Sequence, residues 1–135
     1  MITIIYGAKG SGKTKKMIDA VNAAVDKTKG IVVFLSDTNR YMPEIRNQVK
    51  KINTAESEVF NEAELVGFIK GIIACNNDVS KVFIDGAHRM CNKDVADMET
   101  FFEWVCEMGA KSSIEFVVTA SKDLSEMPEF LKKFI

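Results

Sequence analysis

Three cysteines without paired spacing, a single histidine and no long apolar run set the first limits on this 135-residue chain. Cys75, Cys91 and Cys106 are odd in number and form no close pair, and His88 is the only histidine. That argues against a disulfide framework and against a zinc site, and leaves buried, reduced thiols. Reduced thiols point to a cytoplasmic location. No stretch approaches the ~20 consecutive apolar residues that span a bilayer, so no membrane insertion is expected. A signal peptide is not expected either, because the first residues, Met-Ile-Thr-Ile-Ile, run straight into a glycine-rich segment. Charge of one sign is also scarce. A formal net charge of −1 gives no overall pull toward nucleic acid, and no nucleic-acid partner is expected. Internal repeats, low-complexity tracts and Pro/Gly/Ser linkers are absent, and the expectation is one domain over residues 1–135.

What is present is a chain that is 47% hydrophobic and 27% charged, enough to bury a real core. Its most informative segment is an apolar run at 2–6 followed by Gly7-Ala8-Lys9-Gly10-Ser11-Gly12-Lys13-Thr14-Lys15 and an amphipathic helical pattern to about Lys27. Glycines at 7, 10 and 12 let the backbone turn its N–H groups inward at a helix N-terminus, where the helix dipole favours a di- or triphosphate. In this Walker A pattern, Lys13 reaches the β- and γ-phosphates and the Thr14 hydroxyl ligates Mg²⁺.

Further apolar runs at 31–35, 82–85 and 114–119 barely alternate, as strands covered on both faces do. Helical patterns separate them. One helix ends near Gly30. A second opens at Asn61, where Asn-x-x-Glu64 forms a capping box and Phe60 is placed to staple onto Leu65. Gly67 and Gly71 on that helix suggest close packing against the sheet. A third covers about 94–108, with Met98, Phe101, Phe102, Val105 and Met108 at helical spacing and Gly109 as its stop. Trp104 falls off that stripe. Phe130, Leu131, Phe134 and Ile135 suggest a last short helix on the sheet. Residues 40–58, which include Pro43, fit a short helix or an irregular strand equally well. Strands alternating with helices imply an α/β fold with a mainly parallel sheet and right-handed crossovers.

The run 82–85 closes on Asp85, and Gly86, Ala87, His88 and Arg89 follow. A carboxylate at the end of a buried strand, downstream of a phosphate loop, holds Mg²⁺ through a water ligand. With these two segments and a last strand ending Val118-Thr119-Ala120-Ser121, the chain resembles the P-loop nucleoside-triphosphatase superfamily. Within it, the likeness is to the RecA-like branch and its thymidine-kinase-like relatives. It is also similar to small bacterial P-loop proteins labelled thymidine-kinase-like or twitching-motility ATPases. The resemblance is specific at residues 7–14 and 82–85. It implies a three-layer α/β/α sandwich with strand order 1-4-3-2, Thr119 beside the phosphates, and a polar residue near Thr119 or Ser121 that senses the γ-phosphate.

Many ATPases of that branch place a water-polarising Glu directly after the metal Asp. Here Gly86 stands in that position, which points to weak hydrolysis or to a base elsewhere. Asp37, after the second strand, is one such base by the same resemblance, and is equally a turn former in Ser-Asp-Thr-Asn. His88 lies close enough to Asp85 to meet phosphate or water, or is an unspecialised loop residue. Arg40, Arg46 and Arg89 are the only arginines, so any arginine acting on the transition state comes from these or from a partner. The guanine-recognition pattern Asn/Thr-Lys-x-Asp is absent, because Asn92-Lys93-Asp94 has its acid one place early, and ATP is favoured. The leading expectation is Mg²⁺-dependent ATP binding with slow hydrolysis, working through a protein partner or homo-oligomer. A nucleoside-type kinase and a non-catalytic ATP sensor are the alternatives, the former without the cysteine pairs that bind zinc in thymidine kinases.

Overall fold

The computed structural model describes all residues 1–135. Runs rich in Val, Ile and Phe become strands because these side chains suit a pleated surface that is covered on both sides. Five strands form: β1 (Ile2–Tyr6), β2 (Ile31–Ser36), β3 (Lys50–Asn53), β4 (Val79–Asp85) and β5 (Glu115–Ala120). Every neighbouring pair is parallel, and the order across the sheet is β1-β5-β4-β2-β3. The order differs from the four-strand 1-4-3-2 by β3, a short edge strand added beyond β2. The helices are α1 (Lys13–Lys27), α2 (Glu62–Cys75), α3 (Ala87–Met90), α4 (Glu99–Ser112) and α5 (Glu129–Lys132).

The two-residue period of the strands divides the core into two layers. Val32, Phe34, Phe83 and Val117 pack with Met17, Ile18, Val21 and Ala24 of α1. Val33, Leu35, Val82, Ile84, Phe116 and Val118 lie in a second, larger cluster with Leu65, Ile69, Met98, Phe101, Phe102, Val105 and Leu131. The result is the expected three-layer α/β/α sandwich. The Phe101 and Phe102 rings meet edge to face with centroids 5.5 Å apart. Each such buried ring contributes about 1.5–3 kcal/mol. No helix is long and apolar enough to cross a membrane.

Several local expectations are corrected. α1 ends on extended Thr28, and Gly30 lies beyond it. A Cβ at Gly30 would strike the Ser80 hydroxyl and the Asp78 carbonyl. Gly30 therefore lets β2 close on the start of β4, where the Ile31 N–H donates to Asp78 O at 2.7 Å. Similarly, α4 runs through Gly109 and ends at left-handed Ser113. Gly109 is buried, and a Cβ there would come within 3.0 Å of the Met1 nitrogen, so it admits β1 to the helix instead of stopping it.

Residues 95–97 form a separate 3₁₀ turn, with the Asp94 side chain accepting from Ala96 N–H at 3.0 Å. The capping box forms in part. Glu64 N–H donates to Asn61 Oδ1 at 2.8 Å, while the Glu64 carboxylate accepts from Phe60 N–H at 2.8 Å. Phe60 itself stays 58% exposed, and its neighbour Val59 is the buried residue. Gly67 and Gly71 face open space, on the side of α2 away from Leu65 and Ile69, so they do not pack on the sheet. Ile135 stays exposed, and only Leu131 of the C-terminal apolar group is fully buried.

Residues 37–49 are drawn onto α1, and this fixes one wall of the site. Asn22 donates to Glu44 O at 2.9 Å and accepts from Arg46 N–H at 2.9 Å, and Arg46 pairs with Asp26 at 2.8 Å. Ile45 and Val49 are buried in the α1 layer. Because all strands run one way, their carboxyl ends at Tyr6, Ser36, Asn53, Asp85 and Ala120 share one edge of the sheet.

Candidate functional site

The segment between β1 and α1 turns sharply. Gly7, Gly10 and Gly12 take φ of 149°, 85° and 89°, values that side chains with a Cβ rarely adopt. The loop is fixed by Gly7 N–H donating to Ala120 O at 3.3 Å and Ser11 N–H to Ala8 O at 3.0 Å. Gly12 caps α1 without any side-chain acceptor, and the first turn holds no acidic residue. In contrast, α2 opens with Glu62 and Glu64, and α4 with Glu99. Lys13, Lys15 and Lys16 therefore stand at the positive end of the helix dipole, an arrangement that disfavours folding unless an anion sits there. Lys13 Nζ turns back to donate to Ala8 O at 3.3 Å.

Across β5, the end of β4 presents Asp85, which is only 4% exposed. Its Oδ1 accepts from the Thr119 hydroxyl at 3.1 Å, and the Thr119 oxygen accepts from Gly86 N–H at 3.0 Å. Gly86 is left-handed, at φ 89°. A Cβ there would run into the Arg89 guanidinium, whose Nε lies 2.9 Å from its ideal position. Arg89 lies over Gly86 because Asp37, from the end of β2, holds its fork: Nε donates to Oδ2 at 3.1 Å and Nη2 to Oδ1 at 3.0 Å. Nη2 also reaches Asp85 O at 3.4 Å and stands 3.9 Å from Asp85 Oδ2. The left-handed backbone at position 86 suits glycine, and the movable end of the Arg89 side chain fills the space that a Cβ would take.

Lys13, Asp37, Asp85 and Arg89 face one cavity of about 770 Å³ with a single apolar wall residue, Tyr41. Burial pushes the Asp85 carboxyl above its ordinary range, against the pull of Arg89 and the Thr119 hydrogen bond. Burial also lowers Lys13, with Asp85 opposing and Arg89 adding to the effect. His88 is lowered by burial first and by Arg89 and Lys13 next, which keeps the imidazole neutral at pH 7. Its Nδ1 is buried without a hydrogen-bond partner. Arg89 is raised, chiefly by its hydrogen bonds to Asp37. Cys91, outside the cavity, is pushed up to about 11 by burial and stays an unreactive thiol.

Of the residues expected from sequence, Lys9, Gly10, Gly12, Lys13, Thr14, Asp37, Asp85 and His88 line the cavity together. Gly7, Ala8, Ser11, Lys15 and Thr119 do not. Lys15 is exposed beside Asp19, 3.8 Å away. Thr119 is 2% exposed and committed to Asp85 and Gly86, so it positions the carboxylate and does not face the cavity. Asp37, offered as a base, has both oxygens engaged by Arg89. Thr38, Arg40, Tyr41 and Ser121 complete the wall. Thr38 and Tyr41 carried no sequence signal, whereas Ser121 closed the last segment singled out in the sequence, where the resemblance implied a phosphate-sensing residue near Thr119 or Ser121. Thr14 and Asp85 offer a hydroxyl and a carboxylate, hard oxygen donors of the kind Mg²⁺ takes, and so fit that ion.

Fold and site together define a parallel α/β protein whose strand-end loops converge on a polar, charged cavity behind an uncapped helix. The chain belongs to the family described as Schlafen group 3, DNA/RNA helicase domain, which it matches over residues 1–119. That match corrects the kinship drawn from sequence, which placed the chain in the RecA-like and thymidine-kinase-like branch of the P-loop superfamily. The earlier likeness was specific only at residues 7–14 and 82–85, too little to fix a family, whereas this match extends into β5. The family's name ties it to nucleotide-related function. No curated protein matches the chain.

Proposed function

We propose that this chain binds a nucleoside triphosphate, ATP with Mg²⁺, in the cavity between the glycine loop and the end of β4, and hydrolyses it slowly. The observation that carries this reading is the helix N-terminus itself. α1 has no cap, no acid in its first turn and lysines at positions 13, 15 and 16, all behind three glycines with positive φ. Such an end is stabilised by an anion. Lys13 would contact the terminal phosphates, while the Thr14 hydroxyl and Asp85 would hold Mg²⁺. The ion, when bound, neutralises phosphate charge. Thr119 keeps the Asp85 carboxylate in place, and neutral His88 can share a hydrogen bond with water or phosphate.

Slow turnover follows from what stands around Asp85. Gly86 has no side chain to orient water, and the nearest other carboxylate, Asp37, is bound to Arg89. The same feature supports a second reading, an ATP-dependent sensor with little hydrolysis. The family's name brings DNA or RNA forward as a partner, beside the protein partner or second copy expected from sequence.

Equilibrium titration of ATP with and without Mg²⁺ tests the site. Mg²⁺ should tighten binding to the wild type, and Thr14→Ala and Asp85→Asn should lose that gain while keeping metal-free binding through the loop amides. An equal Mg²⁺ benefit in all three proteins would remove Thr14 and Asp85 from the metal site.

A further inference from the structure

Arg89 is the least explained group in the cavity. Its guanidinium is held by the protein although the side chain is 44% exposed. Gly86 makes room for it, Asp37 grips its fork, and Asp85 stands behind it at 3.9 Å. The sheet order separates it from the glycine loop, because β5 lies between β1, which leads into the loop, and β4, which leads into Arg89. Lys13 and Arg89 nonetheless face the same cavity, and the Arg89 charge adds to the lowering of Lys13. Phosphates held by the loop amides are those that a di- and a triphosphate share, and a third phosphate beside Lys13 would extend into the cavity that Arg89 also faces.

We propose that Arg89 is the residue that distinguishes a nucleoside triphosphate from a diphosphate in this cavity, exchanging Asp37 for the terminal phosphate when one is present. The proposal rests on the nucleotide-binding reading above. The exchange is chemically well matched. A guanidinium fork binds carboxylate and phosphate in the same two-pronged geometry, and the phosphate carries more charge. The pair to be broken is half open to water, with side chains 44% and 25% exposed, so it holds Arg89 in position without binding it strongly. The same movement frees the Asp85 carboxylate from its neighbouring cation for Mg²⁺. It also releases Asp37, and with it the loop that continues through Asn39 to Asn53 and Glu56 by hydrogen bonds of 3.1 and 2.7 Å.

The test is calorimetric titration of the intact chain with ADP and with a non-hydrolysable ATP analogue, both with Mg²⁺, in wild type, Arg89→Ala, Arg89→Lys and Asp37→Asn. Wild type should prefer the triphosphate. Arg89→Ala should weaken triphosphate binding by about ten- to a hundredfold, the loss of a charge-assisted contact, while ADP affinity moves less than about threefold. Arg89→Lys, which keeps the charge without the fork, should fall between. Asp37→Asn should hold or raise triphosphate affinity, because the fork no longer has to be broken. An unchanged ratio of the two affinities in Arg89→Ala and Arg89→Lys, or an equal loss for both ligands, would overturn the proposal and leave the nucleotide site standing. Failure of the wild type to bind either ligand would overturn both.

Discussion

Placing a methyl group at position 86 tests the central geometry of the site. In Gly86→Ala the left-handed backbone at φ 89° becomes unfavourable by about 1–2 kcal/mol. The new Cβ also lands on the Arg89 guanidinium, which must swing out and abandon Asp37. That partly exposed pair is worth at most about 1 kcal/mol. Together these cost about 1–3 kcal/mol, or roughly 3–15 °C in Tm for a chain of this size. The partition is measurable by a double-mutant cycle, with thermal unfolding followed by circular dichroism. In an Arg89→Ala background the methyl has room, so Gly86→Ala should cost only its backbone part. Equal destabilisation in both backgrounds would refute the claim that Arg89 and a side chain at position 86 compete for one space. The same collision bears on catalysis. A Glu introduced at position 86 would displace Arg89 before it could orient water, so Gly86→Glu is not expected to create a good ATPase.

Two further outcomes follow from the groups around Asp85. Burial raises the Asp85 carboxyl above 3.8, so the folded state keeps its proton to higher pH than the unfolded chain does, and stability falls as pH rises through that window. Asp85→Asn removes the loss, so its Tm should exceed the wild type's at pH 7 and the gap should close as pH falls toward 3.8; a constant gap would contradict the assignment. Thr119→Val keeps the shape but strips the hydroxyl from Gly86 N–H and Asp85 Oδ1, and should cost about 1–3 kcal/mol in urea unfolding, whereas no change would deny Thr119 its positioning role.

Elements with one dominant signal were legible in the sequence. α1 occupies the residues its pattern implied, and the apolar runs became β1, β2, β4 and β5, because runs so rich in Val, Ile and Phe suit a sheet covered by helices. The loop's glycines and Asp85 were legible for a related reason: position, at the end of a buried strand, carries their meaning. Residues 40–58 were not, because a 3₁₀ turn led by Pro43 and the four-residue β3 are too short for any period to emerge. Glycines at 30 and 109 read as helix stops, yet each serves a contact with residues distant in sequence, Ser80 and Met1, that no local pattern encodes. Thr119 and Asp37 share that limitation. Both stand at strand ends, but what they hold depends on which strand lies beside them. The most consequential feature, Arg89 over Gly86, joins residues three apart through a carboxylate from another strand, and the sequence showed only an absent Glu.

The claim that matters most is that the glycine loop and Lys13 hold phosphates, and calorimetric titration of Mg-ATP into wild type and Lys13→Ala tests it most directly. Lys13 supplies one charge-assisted contact, so the variant should bind about ten- to a hundredfold more weakly, with its Tm in the absence of nucleotide at or above that of the wild type once a cation leaves the positive end of α1. Equal Mg-ATP affinity in the two proteins, with both fully folded, would contradict it.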